Sequence, residues 1–74
     1  MNAYVYFLHV NISDGDILLD KIDELGYKAR HVARGDTFQV YKVEMASEDL
    51  IILKLTVPSL EIDNLDKENN GTSY

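Results

Sequence analysis

The chain has 74 residues, a formal net charge of -6 and no cysteine. That leaves room for one domain with a modest core, and excludes disulfides, thiolate-ligated zinc or iron-sulfur sites and cysteine nucleophiles. The acidic balance disfavours broad contact with a phosphate backbone and suits a basic partner protein, including the nucleic-acid-binding face of another protein.

The opening "MNAYVYFLHVN" has neither a basic flank nor a small-residue cleavage site, so it reads as a strand rather than a signal peptide. No apolar run approaches the ~20 residues of a membrane-spanning helix, which makes a cytoplasmic, non-membrane location the expectation. In the strand Ala3 to Val10, Tyr4, Tyr6, Leu8 and Val10 alternate with Ala3, Val5 and Phe7, and both sets are largely apolar. That pattern fits a central strand with a helix on one face and a second apolar cover on the other. A short chain without cross-links can gain the missing cover from a partner, a homodimer included.

"NISDGDILLDKIDELGY" predicts a helix from about Asp14, with Ser13 as N-cap, Asp16 as its reciprocal acid, and Ile12 and Ile17 as a hydrophobic staple. Ile17, Leu18, Ile22 and Leu25 gather on one side, Asp16, Asp20, Asp23 and Glu24 on the other, and Gly26 takes the left-handed C-terminal position. Asp23 and Glu24 oppose the helix dipole. The acidic face is a solvated surface or a protein-docking one. It lacks the convergence of elements that a metal site or acid-base pair needs, and Asp14-Gly15-Asp16 lacks the order of a calcium loop.

"YKARHVAR" alternates, with Lys28, Arg30, Val32 and Arg34 on one side of a strand. Arg34-Gly35-Asp36 then reads as a hairpin turn with positive φ at the glycine, not as an adhesion signal. In "TFQVYKVEM", Phe38 and Val40 compete for the core with Gln39, Tyr41, Val43 and Met45, which predicts a bulge or partial burial of both faces. Lys28, Arg30, Arg34 and Lys42, with Tyr41 beside them, form the one basic patch. Single-stranded nucleic acid, an acidic protein surface and plain solvent are its three readings.

"ASED" is read as a tight turn or one helical turn with Ser47 as a cap, and Leu50 to Val57 as a strand burying Ile51, Leu53, Leu55 and Val57, stopped by Pro58. The expected fold is therefore a small α+β domain of β-α-β-β-β order over residues 1–58. One helix packs on a mixed four-stranded sheet, with the first two strands parallel. Residues 59–74 are expected to form an acidic, mostly disordered tail, in which Leu60, Ile62 and Leu65 could pack back onto the sheet.

His9 and His31 could hold zinc only by converging with carboxylates, and no Ser-His-acid set or glycine-rich phosphate loop is present. No catalytic residue and no cofactor is assigned. The leading expectation is a small acidic protein-binding module, acting as a stoichiometric inhibitor through Asp16, Asp20, Asp23 and Glu24. The small acidic format is compatible with an accessory or inhibitor protein of a phage or mobile element, an origin that composition alone does not establish. Weak single-stranded nucleic-acid binding through the basic hairpin, and a small regulatory or ligand-binding domain, are the alternatives.

Overall fold

The computed structural model of the protein describes residues 3–64. The aromatic and β-branched opening forms β1 (Ala3–Asn11), and a 3-10 turn (Ile12–Asp14) leads into α1 (Gly15–Glu24). Then follow β2 (Ala29–Arg34), β3 (Phe38–Ala46), α2 (Ser47–Thr56) and β4 (Glu61–Asn64). The sheet order is β2-β3-β1-β4. Each pair of neighbours runs antiparallel, and β2 and β4 are left as open edges rather than closing a barrel. This is the β-α-β-β-α-β arrangement of a split β-α-β, or ferredoxin-like, topology.

The α+β class and the central position of β1 match the sequence reading, while several particulars do not. β1 and β2 run in the same direction but are not neighbours, because β3 lies between them. Leu50 to Thr56 belongs to a helix rather than a strand, with Val57 just past its end, so a second full helix is present. The run is apolar enough to satisfy either period. In helical spacing it buries Leu53 and Val57 with Leu50 half-buried, and Leu55 is turned outward. Glu48 and Asp49 in the first turn and Lys54 in the last complement the helix dipole. The polar segment after Pro58 contributes β4, paired with β1 through Leu8 opposite Ile62, and Leu60 is fully buried beneath it. Leu65 and the rest of the expected tail lie outside the described residues.

The core sits on one side of the sheet. Tyr6, Leu8 and Val10 of β1 and Tyr41, Val43 and Met45 of β3 meet Leu18 and Ile22 of α1, Leu53 of α2 and Val57 just past its end. Burying each large aliphatic side chain contributes about 1.5–3 kcal/mol. Both helices therefore cover the same face, and no described element lies over the opposite one.

Local chemistry differs from expectation at two turns. Neither the 3-10 turn nor α1 has a side-chain cap; Asp14 instead accepts a hydrogen bond from Ser59 Oγ at 3.3 Å. Gly26 takes the left-handed φ of 93°, as the C-cap reading required. Gly35 does not have positive φ. A side chain there would instead have to displace the exposed Phe38 ring, since a Cβ would lie 2.2 Å from it. The Gly35 N–H donates to the Phe38 carbonyl at 2.9 Å to close the hairpin.

Candidate functional site

The helix layer carries the first candidate surface. Asp16, Asp20, Asp23 and Glu24 are all exposed on α1, opposite the buried Leu18 and Ile22, so the structure brings the predicted acidic residues together. Lys21 Nζ donates to Glu24 Oε1 at 2.6 Å. Among the described residues no ion pair neutralises Asp16, Asp20 or Asp23. Like charges one turn apart cost a few tenths of a kcal/mol in a helix, so this stripe opposes helix stability.

Beside it lies a feature that the sequence reading placed in the core. The outward side of α2 exposes Ile51 at 63%, Ile52 at 38% and Leu55 at 77%. Helical spacing was the available signal: with Leu50, Leu53 and Val57 on one face, Ile51 and Leu55 must share another. Two hydrogen bonds orient the helix pair. Ser59, just past α2, reaches Asp14 at the start of α1, and Tyr27, just past α1, reaches Asp49 in the first turn of α2. The helices are thus antiparallel, and the half-exposed Ile17 of α1 lies at the same end as Leu55. An apolar strip flanked by carboxylates has the composition of a docking surface with a polar rim.

The Tyr27 contact is the polar clamp between the helices. Its Oη donates to Asp49 Oδ2 at 2.5 Å and accepts from the Ala46 N–H at 3.4 Å. Donation to the carboxylate raises the phenol above its ordinary value, because ionisation would break that hydrogen bond and set two negative charges together.

The basic patch is only partly assembled. Lys28, Arg30 and Lys42 line one shallow concavity of about 290 Å³ with Val5, Val43 and Glu44. This concavity is on the sheet face away from the helices. A register shift between His31 and Ala33 makes Val32 an extra residue, so Arg34 pairs with Gln39 and falls on the helix side. The bulge is in β2, not in β3, and it splits the stripe that strict alternation implied. Tyr41 is buried on the helix side, where its Oη donates to Gln39 Oε1 at 3.0 Å and its ring meets His31 edge-on.

The histidines do not converge. His9 is on the open face of β1, 3.0 Å from Asp63 Oδ2, while His31 lies against Tyr41 on the other face of the sheet. Among the described residues no group of His, Asp and Glu is placed to hold a metal ion, and no helix is long and apolar enough to cross a membrane. Comparison with protein-family models, with curated proteins and with solved structures returned no match.

Proposed function

We propose that the protein is a binding module whose helix layer docks on a basic surface of another protein and blocks it stoichiometrically. The observation that carries this reading is the un-neutralised stripe Asp16, Asp20 and Asp23, continued by Glu24, beside the exposed Ile51, Ile52 and Leu55. Carboxylates repeated along a helix resemble the phosphates that a nucleic-acid-binding protein accepts. The apolar strip adds what a free polyanion lacks, a surface that gains from leaving water. The test is capture of a basic partner from the native host, followed by displacement of that partner's nucleic acid. The paired reversal Asp20→Lys and Glu24→Lys is expected to weaken capture at least ~10-fold, with a shallower salt dependence. Unchanged capture at low salt, or a captured partner that keeps its nucleic acid, would refute the inhibitor reading.

A second reading rests on the convergence of Lys28, Arg30 and Lys42 on the open sheet face with Phe7 in the same cross-strand row. Single-stranded nucleic acid stacks on such faces. Glu44, Glu61 and Asp63 share that face and oppose phosphate. A gel shift at low salt that disappears on neutralising Lys28 and Arg30 would favour this alternative.

A further inference from the structure

The uncovered sheet face has an ordered charge pattern. One row of opposed residues runs Arg30, Lys42, Phe7, Asp63 from β2 to β4, and the next runs Ala33, Val40, His9, Glu61. The β2–β3 side carries Lys28, Arg30 and Lys42 against one carboxylate, Glu44, and is net cationic, while the β4 side, with Glu61 and Asp63, is anionic. Apolar side chains lie between the two charged sides: Val5 and Phe7 are half-buried and Val40 is 8% exposed. Phe38, at the end of β3 on this face, is 43% exposed.

We infer that this face docks a second copy of the chain, the two sheets stacking about a two-fold axis parallel to the strands. Such an axis exchanges left and right across the sheet. It sets Arg30 against Asp63 of the other copy, Lys42 over the other Phe7 ring, and Val40 against the other His9, each contact occurring twice. The pairing satisfies the isologous requirement that a patch complement itself. Lys42 over Phe7 adds a cation-π contact, and the ~-30° angle of aligned sheet packing accommodates the twist. A phosphate chain would meet the anionic half of the face, whereas a second copy matches both halves. Strands ~4.8 Å apart and roughly 7 residues long give a footprint of about 450 Å² per copy. That is near the lower limit for a specific interface, so the dimer should be concentration-dependent. The helix layer stays free on both copies, so this inference does not rest on the proposed function.

The test uses solution mass from sedimentation equilibrium, from about 1 µM to about 1 mM, which spans the dissociation constants of weak dimers. The wild-type chain should pass from monomer to dimer. Arg30→Asp and Asp63→Arg, each at an exposed edge position, should each weaken the dimer at least ~10-fold, because both create like-charge contacts. Mixing the two variants should restore dimerisation, because the mixed pair matches at both contacts. Within one chain these positions are three strand spacings apart, roughly 14 Å, so direct pairing inside the monomer cannot produce that rescue. A wild-type chain that stays monomeric throughout, a dimer indifferent to both reversals, or a mixture that stays monomeric would each overturn the inference. So would a wild-type monomer whose open face is occupied by an added single-stranded oligonucleotide.

Discussion

Helices α1 and α2 are each ten residues long and cover the same face of one sheet, yet they meet water in opposite ways. α1 divides, apart from the half-exposed Ile17: Leu18 and Ile22 are buried, and carboxylates occupy the far side. α2 has almost no division, since Leu53 faces inward, with Leu50 half-buried, while Ile51, Ile52 and Leu55 face out. Stability asks only for the inward set. The outward carboxylates of α1 repel one another and the outward aliphatics of α2 stay wet, so neither set strengthens the isolated domain. The pair teaches that a helix's inner face reports the fold, whereas departures on its outer face point to what lies outside it.

The comparison would break most visibly in the core. Leu53→Ala and Leu18→Ala each empty a fully buried site and should each cost about 2–5 kcal/mol in urea denaturation. A domain of this size has only about 4–11 kcal/mol in total, so either change removes a large share. A cost below about 1 kcal/mol for Leu53→Ala would show α2 to be an appendage rather than half of the layer.

A smaller effect is expected at the clamp. Tyr27→Phe removes the hydrogen bond to Asp49 and should lower Tm by less than either core truncation. Its pH dependence has a definite sign. The phenol titrates higher in the folded chain than in the unfolded one, so its contribution is complete below about pH 10 and is lost as pH rises through the folded value. The wild-type and Tyr27→Phe melting curves should therefore converge only in alkali; a constant difference would place the stabilisation elsewhere.

The smallest effect on stability is also the most diagnostic. Leu55→Glu on the outer side of α2 should change unfolding free energy by no more than about 0.5 kcal/mol. In a strand burying Ile51, Leu53, Leu55 and Val57 the same substitution would bury a carboxylate and unfold the domain. Retained stability with weakened partner capture would assign the outer face of α2 to docking.

The same contrast explains what could be read from the sequence. α1 was legible because its polar and apolar residues separate at helical period, and the acidic stripe came with it. β1 was legible as central because both alternation sets are apolar. α2 was not, because "LIILKLTV" is apolar at period two and at helical period alike, and that error hid Ile51 and Leu55 inside an imagined core. β4 was obscured because an edge strand needs only Ile62 to face inward, leaving Glu61 and Asp63 to read as tail. The basic patch was half legible: Lys28, Arg30 and Lys42 converge, but the extra residue Val32 arises from pairing with β3 and leaves no local mark.

The position of β1 also sets an order of events during synthesis. β1, the earliest of the described strands to be made, ends in the middle of the sheet, with one neighbour starting at Phe38 and the other at Glu61. Its backbone amides and carbonyls cannot all find sheet partners until nearly the whole described chain exists. A nascent chain carrying "AYVYFLHV" therefore holds its most aggregation-prone segment unpaired the longest. Folding in turn must close loops spanning most of the described chain before β1 is satisfied on both sides, which should make the domain slower to fold than a helical bundle of its size.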